Sequence, residues 1–524
     1  MATRKLLKST AVTGGMTFIS RITGLIRDMV FAGLIGAGGG VAADAFYVAF
    51  RIPNFLRRIF GEGAFSQAFV PVFTDYKTKR SAEETRAFVD QMTGVLGVIL
   101  FIVTLVGVLA APVLIWVLAP GFLQDADKYD LTVKMLRITF PYIFFISLVS
   151  LAAGVLNSYG RFGAAAFTPV LLNLSLIAAA LWLAPRMANP VVGLAWGVFV
   201  AGVLQLAFQL PFLRALRMLP RPRLALRARH DGVRRVFTLM LPAVFGVSIA
   251  QINLLVNTLL ASFLVTGSVS WLYYSDRLME FPLGVFGIAL ATVILPQLAR
   301  SHSQASHSEF SHLLDWGLRW VFIISLPASV ALVVLAAPLL TTLFHHGAFT
   351  ERDVVMSAQA LMAFAIGLLG FVLVKILAPG FYARHDTKTP MRIGVVSMGV
   401  NIALSLLLVW PFAHVGLAIA VSMAAIVNAA LLFHRLRRDG VYQPLPGWGK
   451  FLTRTAVASA IMGGVVFWGA GEVSAWITAG TSERIWQLSL WVIAGIVIYV
   501  LALLAVGIRP RELLLRPTDG SENP

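Results

Sequence analysis

The feature that most limits the fold of this chain is a series of long apolar segments separated by short polar ones. A helix that crosses a bilayer needs about 20 mostly apolar residues, and fourteen such segments recur along the 524 residues. They lie near residues 10–33, 44–73, 91–118, 132–156, 165–184, 191–213, 236–263, 269–298, 315–343, 355–381, 391–410, 415–434, 451–471 and 485–507. Because lipid offers no partner to open backbone groups, they predict an all-α polytopic membrane protein with about 14 transmembrane helices.

The charge pattern gives the expected orientation of those helices. Charged residues make up only 13% of the chain, and the net charge is +18, whereas soluble proteins carry about 25% charged residues. Most lysines and arginines fall in the N-terminus, the even-numbered loops and the C-terminal tail, while the odd-numbered loops hold only Lys128, Arg186, Arg352 and Arg484. Since basic loops stay in the cytoplasm, both termini are predicted to be cytoplasmic, and nucleic acid is not an expected partner.

Three pairs of similar segments indicate that the chain contains an internal repeat. AFVPVF (68–73) resembles VILPQL (293–298), SYGRFGAAAFTP (158–169) resembles FYARHDTKTP (381–390), and VGLAWG (192–197) resembles VGLAIA (415–420). We therefore predict an N-lobe of six helices at 1–225, a C-lobe of six at 226–445, and two further helices with a cytoplasmic tail at 446–524. Repeated lobes of this kind are typical of transporters, with the substrate between them near the bilayer midplane.

The first apolar segment contains SRITGLIRD, which places charges where a lipid-facing helix should have none. At 100° per residue, Ser20, Arg21, Arg27 and Asp28 fall within an arc of about 120°. One explanation is a single Arg–Asp pair that stabilises the bundle. Two arginines against one aspartate favour the other explanation, a polar face that meets cargo or water.

Two later helices carry similar charges. In the second segment Asp44, Arg51, Arg58 and Glu62 follow nearly one stripe, flanked by Asn54 and Arg57, and Pro53 with the Gly61–Glu62–Gly63 step predicts a bend or break. An alternative for Arg57 and Arg58 is that they only extend to the interface. The eighth segment carries Asp276, Arg277 and Glu280. Facing lobes would bring these arginines to a central cavity, and clustered guanidinium groups favour phosphate or pyrophosphate.

SRITGLIRD, DAFYVAFRIPNFLRRIFGEGAFSQAFVPVF and YYSDRLMEFPLGVFGIALATVILPQL resemble the MurJ/MviN lipid II flippases of the multidrug/oligosaccharidyl-lipid/polysaccharide exporter superfamily. The resemblance covers nearly the whole chain. It implies a transporter in the bacterial inner membrane that moves lipid II, the undecaprenyl-pyrophosphate-linked peptidoglycan precursor, to the outer leaflet by alternating access. Membrane lipids and the cell-wall synthesis machinery are the other partners it implies, and the last two helices would hold the polyprenyl tail.

The resemblance also assigns substrate-binding residues. The family's functional residues fall on Arg21, Arg27, Arg57, Arg277 and Asp44, and the same motifs contain Ser20, Arg51, Asn54, Glu62, Asp276 and Glu280. No cofactor is expected. Some members bind sodium in the second lobe through acidic residues, where this chain has Asn257, Asn401 and Ser405. Sodium and the membrane potential are both candidate driving forces for transport.

Three alternatives stay open. A flippase for another polyprenyl-pyrophosphate-linked oligosaccharide has the same cargo chemistry, whereas a multidrug antiporter needs an acidic cavity for cations. An intramembrane enzyme is disfavoured because the sequence lacks G-x-S-x-G and H-E-x-x-H.

The chain has no cysteine, which excludes disulfides and thiolate metal sites. The spaced histidines His302, His307 and His312 are not predicted to bind a metal.

Overall fold

The computed structural model describes residues 2–58, 65–223, 231–304 and 306–508, and the regular structure in these ranges is helical. The first ten α-helices are α1 (Ala2–Ile35), α2 (Val41–Leu56), α3 (Phe65–Lys79), α4 (Ala82–Leu109), α5 (Ala111–Leu118), α6 (Ala126–Thr139), α7 (Tyr142–Ser158), α8 (Phe162–Ala178), α9 (Pro190–Ala215) and α10 (Asp231–Ser262). The others are α11 (Ser268–Pro282), α12 (Ile288–Ser303), α13 (His307–Val334), α14 (Ala336–Phe344), α15 (Glu351–Tyr382), α16 (Lys388–Arg438), α17 (Trp448–Ala470), α18 (Val473–Thr478) and α19 (Thr481–Ala505).

The predicted segments coincide with these helices, and several segments are interrupted. The segment at 44–73 spans α2 and α3, and the segment at 132–156 spans α6 and α7. Conversely, the segments at 391–410 and 415–434 both lie in α16, which has non-helical torsion angles at Ala413 (φ 49°, ψ −131°). The break at Ala413 therefore separates two helical segments, as the sequence predicts.

Nine helical stretches of the described residues are long and apolar enough to cross a membrane. The all-α membrane fold is thus confirmed, while the count of fourteen spans stays a prediction. The shortfall has a physical reason. Helix α1 carries charges in its middle, and interruptions divide other segments into helices shorter than the bilayer core requires.

The chain forms two compact units. Unit 1 contains residues 1–270 with His346–Phe349, and unit 2 contains Trp271–His345 with residues 350–524. Within unit 1, α1 packs on α8, α2 on α6, α7 on α9, and α3 on α10. Within unit 2, α15 packs on α16, and α13 packs on α15 and α17. The lobes predicted at 1–225 and 226–445 stay a prediction, and α10 groups with the helices before it in unit 1.

Helix α10 has polar contacts at both ends that order the loops of unit 1. Near its start Arg235 forms an ion pair with Asp75 at 3.0 Å, where α3 ends. At its other end Ser262 Oγ accepts a hydrogen bond from the main-chain N–H of Gly121 at 3.1 Å. A Cβ at Gly121 would lie only 2.1 Å from Ser262 O, so this approach requires glycine. Arg235 and Ser262 lie about 40 Å apart along α10, which exceeds the ~30 Å thickness of a bilayer's hydrocarbon core.

Candidate functional site

Helix α1 buries its polar side and exposes its apolar side. Phe18, Ile22 and Ile26 are exposed, whereas Arg27 and Asp28 are buried, with Arg27 only 6% accessible and Asp28 inaccessible. The buried side packs on α8. This is the amphipathic helix that the sequence predicts, and the polar side meets protein because lipid would leave its charges without partners.

Arg27 lies at the centre of a buried hydrogen-bond cluster. Its Nε and Nη2 donate to Asp28 Oδ1 at 2.9 and 2.6 Å, and its Nη1 donates to Asn173 Oδ1 at 3.0 Å. The Asn173 amide in turn donates to Ser20 O at 3.0 Å and to Thr23 Oγ1 at 3.1 Å. Arg27 and Asp28 thus form a neutral pair that fixes α1 to α8, and Ser20 takes part through its main chain.

Two arginines of the next helix are held by neutral oxygens. Arg51 is half-buried on α2, and its Nη1 donates to Thr258 Oγ1 of α10 at 2.5 Å. Arg57 follows the end of α2, and its Nε and Nη2 donate to Asn54 Oδ1 at 2.9 and 2.8 Å. These hydrogen bonds orient both guanidinium groups.

Asp44 accepts four hydrogen bonds at the start of α2. The donors are Lys128 Nζ (3.0 Å), the main-chain N–H of Gly267 (2.8 Å), and the N–H and hydroxyl of Ser270 (3.0 and 2.6 Å). The side chains of Asp44 and Lys128 are only 1% and 5% exposed. These hydrogen bonds join the starts of α2, α6 and α11.

The second predicted cluster lies on α11 in unit 2. Arg277 Nη1 forms an ion pair with Glu280 Oε2 at 3.2 Å, with side-chain exposures of 33% and 40%. The guanidinium carbon lies 6.0 Å from the centre of the Tyr273 ring, and Asp276 is half-buried on the same helix. An ion pair this exposed contributes little to stability, so Arg277 is accessible to a ligand.

The predicted residues are thus distributed over both units. Unit 1 contains Arg21, which is half-buried on α1, and the clusters around Arg27, Arg51, Arg57 and Asp44. Unit 2 contains Asp276, Arg277 and Glu280. Their convergence on one cavity stays a prediction, and Glu62 lies outside the described residues.

The sequence reasoning missed three residues that the clusters depend on: Lys128, Asn173 and Thr258. Lys128 had a visible signal, since it is one of few basic residues in the odd-numbered loops. Asn173 and Thr258 are single polar residues in apolar helices, and their partners lie 146 and 207 positions away. Nothing in one sequence identifies such partners.

The middle of α16 in unit 2 contains a few neutral polar residues among apolar ones. Asn401 and Ser405 are buried one helical turn apart. In the described part of the chain no three His, Asp or Glu side chains come together as metal ligands. The sodium site therefore stays an untested expectation.

Comparison with known proteins gives the family. The family model for the lipid II flippase MurJ matches residues 31–486. The probable lipid II flippase MurJ of Vibrio cholerae is 47% identical over 517 residues, which cover 97% of this chain and 98% of that protein. The chain belongs to the MurJ family. The lipid II flippase MurJ of Burkholderia cenocepacia is also similar, with 46% identity over 465 residues, or 88% of this chain and 90% of that protein.

Solved structures agree with this assignment. A lipid II flippase MurJ in an inward closed conformation superimposes with a TM-score of 0.79 at 25% identity, covering 94% of this chain and 98% of that one. An inward-facing MATE-family multidrug transporter gives 0.66 at 15% identity, covering 80% of this chain and 95% of that one. The MATE likeness shows the shared fold alone, and the MurJ fold is the nearer of the two.

Proposed function

We propose that this multi-pass inner-membrane protein transports lipid II, the polyprenyl-pyrophosphate-linked peptidoglycan precursor, from the inner to the outer leaflet. Membership of the MurJ family supports this assignment. A multidrug antiporter is less well supported, because its only backing is the MATE fold. A flippase for another polyprenyl-pyrophosphate-linked oligosaccharide is also less well supported, because the family model that matches residues 31–486 is that of the lipid II flippase MurJ.

The observation that carries the mechanism is the set of arginines on α1 and α2. Residues 20–58 contain five arginines and two aspartates, Asp28 and Asp44. Arg27 and Lys128 lie against those two carboxylates, while the acceptors of Arg51 and Arg57 include the neutral oxygens of Thr258 and Asn54. A pyrophosphate is the ligand that such a set of guanidinium groups favours.

A site of this kind lowers the main energetic barrier to transport. A charged headgroup cannot cross about 30 Å of hydrocarbon unaided. Guanidinium groups replace the water around the pyrophosphate, while the polyprenyl tail stays in lipid beside the last two long helices. Arg21 of α1 belongs to the same set of arginines, and alternating access then releases the head on the other side.

The chain acts as a transporter rather than an enzyme, and an ion gradient supplies the work. The sequence contains no G-x-x-x-x-G-K-[ST] loop for ATP. Two negative charges moving outward through a potential of about 100 mV gain roughly 4–5 kcal/mol. The membrane potential therefore has the correct sign to drive export, and sodium is the other candidate. Both termini are cytoplasmic in this scheme, and the cell-wall synthesis machinery receives the product.

The test is the leaflet distribution of lipid II in cells depleted of this protein. An enzyme that acts only from outside cleaves exposed headgroups, so loss of transport leaves lipid II uncleaved. Re-expression of the wild-type chain should restore cleavage. Unchanged cleavage during depletion, in a strain without a second flippase, would contradict the assignment and favour another lipid-linked cargo.

A further inference from the structure

An arginine-rich segment leaves the end of α9 and crosses α4 in unit 1. It comprises residues 214–223, RALRMLPRPR, and is called the arginine strap below. Its four arginines, Arg214, Arg217, Arg221 and Arg223, are all exposed. The segment has no acidic residue. In the described part of the chain, no hydrogen bond or ion pair involves these four side chains.

The strap begins with a strained turn. Arg217 has a φ of 56°, in the left-handed region where helix ends usually place glycine. The N–H of Met218 donates to Leu213 O at 2.9 Å, which closes the helix end, and Met218 is buried. A non-glycine residue in this conformation costs about 1 kcal/mol or more. Backbone geometry alone would favour glycine at this position, so the arginine side chain has another role.

Asp90 of α4 fixes the other end of the strap. Its Oδ1 accepts the main-chain N–H of Arg221 at 2.7 Å, and its main-chain oxygen accepts that of Arg223 at 3.3 Å. The prolines at 220 and 222 have no N–H, so every main-chain donor from 220 to 223 is bonded to Asp90. A Cβ at Gly94 would lie 2.4 Å from Arg223 O, which makes glycine necessary there. The arginines thus project from an ordered backbone.

The strap lies at the edge of an apolar surface. One helical turn beyond Gly94, Val98 and Ile99 are each 40% exposed, and Leu210 and Phe212 are exposed just before the strap on α9. Both α4 and α9 are long and apolar enough to span a membrane. Their exposed apolar side chains therefore face acyl chains, while the arginines reach the level of the headgroups.

We propose that the arginine strap binds the phosphate of an anionic phospholipid headgroup, with Arg214, Arg217, Arg221 and Arg223 as its ligands. Four exposed guanidinium groups with no acidic partner among the described residues attract external negative charge, and a phosphodiester accepts their paired donors. The neighbouring apolar side chains select a lipid over a soluble phosphate. The site lies outside the predicted cargo residues and does not depend on which lipid-linked cargo is moved.

The experiment uses purified full-length protein in a neutral detergent. Thermal unfolding is followed during titration with phosphatidylglycerol, phosphatidylcholine or inorganic phosphate. The variant combines Arg214→Gln, Arg217→Gly and Arg221→Gln, and the Arg217→Gly change also relieves the left-handed strain. The matched control is Arg438→Gln, an exposed arginine at the end of α16 in unit 2.

Phosphatidylglycerol should stabilise the wild-type protein and the Arg438→Gln control at similar concentrations. Its half-maximal concentration should rise about fivefold for each strap arginine removed, and without added lipid the variant should unfold at or above the wild-type temperature. Equal responses of variant and wild type to phosphatidylglycerol would overturn the proposal. A wild-type response to phosphatidylcholine or inorganic phosphate as large as to phosphatidylglycerol would also overturn it.

Discussion

Two buried aspartates, one in each unit, have the same number of hydrogen bonds but different surroundings. Asp44 in unit 1 and Asp315 in unit 2 are each 1% exposed at the side chain and each accept four hydrogen bonds, one of them from a cation. The cation at Asp44 is the buried Lys128. The cation at Asp315 is Arg319, which is 21% exposed and lies one turn away on the same helix.

The surroundings of the two carboxylates differ more than their bonds do. The other donors to Asp315 are Tyr442 (2.8 Å), Trp448 (2.6 Å) and the N–H of Leu445 (3.1 Å). Trp448 also packs on an apolar cluster that joins three helices. The members of this cluster are Ile323, Leu335, Phe451, Ala458, Met462, Val466, Tyr499, Ala502, Leu503 and Ile508. The donors to Asp44 come instead from a lysine and a glycine–serine turn. Water can replace polar bonds but not apolar burial, so the contact at Asp315 should depend less on the charge of its carboxylate than the contact at Asp44 does.

The same substitution at both sites tests this difference, and Asp44→Asn should have the larger effect. An amide has one acceptor oxygen, so it cannot serve both the Lys128 and Gly267 donors at the Oδ2 position and the Ser270 N–H at the Oδ1 position. The buried ammonium also loses its counter-charge. We expect a loss of about 3–5 kcal/mol in the free energy of unfolding, together with loss of transport. Thermal unfolding in detergent and growth of a depleted strain measure the two effects.

The double variant Asp44→Asn/Lys128→Met is the control for that interpretation. Removing both charges should recover part of the stability lost in the single variant, because the charge left unpaired is gone. If the effects of the two single substitutions simply add, the ion pair is not what holds this contact.

Asp315→Asn should cost less, about 1–2 kcal/mol. The Asn oxygen can still accept from Tyr442 and Trp448. Arg319, which lies 5.4 Å from the centres of the Trp448 and Phe451 rings, can turn toward solvent. The apolar cluster keeps α13, α17 and α19 together. A drop in unfolding temperature as large as that of Asp44→Asn would contradict the distinction between the two contacts.

The smallest effect is expected at Asp386, an aspartate in the loop before α16. Hydrogen bonds from the Thr389 side chain and main chain lower the pKa of Asp386. A lowered pKa stabilises the folded protein above the pKa of the unfolded chain, about 3.9, and this stabilisation is lost as pH falls through the folded value. The unfolding temperature of the wild type should therefore be slightly higher than that of Asp386→Asn at pH 7, and the difference should vanish in acid. A difference that increases as the pH falls would contradict the lowered pKa of Asp386.

The sequence predicted more of the fold than of the contacts within it. Apolar length alone indicated the helical membrane fold, and the gap between two apolar segments anticipated the break at Ala413. The polar face of α1 was also predicted, because helical periodicity is a local property. The Arg27–Asp28 pair matches the explanation that the sequence favoured less, a single Arg–Asp pair that stabilises the bundle.

The partners of the charged residues could not be predicted, because they are remote in the chain. Lys128 meets Asp44 across 84 positions, and Arg27 meets Asn173 across 146. Asn173 falls in an N-x-S pattern within an apolar helix, which gave no indication of its bond to arginine. Such contacts depend on the packing of whole helices, and one sequence carries no record of that packing.

The central claim, that arginines of unit 1 act on the cargo, is tested most directly at Arg57. Arg57→Gln removes the cation and keeps side-chain N–H groups that can donate to Asn54 Oδ1. Arg86→Gln on α4 is the control, a half-buried arginine of unit 1 outside the predicted site. The leaflet distribution of lipid II is measured in depleted cells that express each variant at equal levels in the membrane. The account predicts uncleaved lipid II with Arg57→Gln and normal cleavage with Arg86→Gln; normal cleavage with both would contradict it.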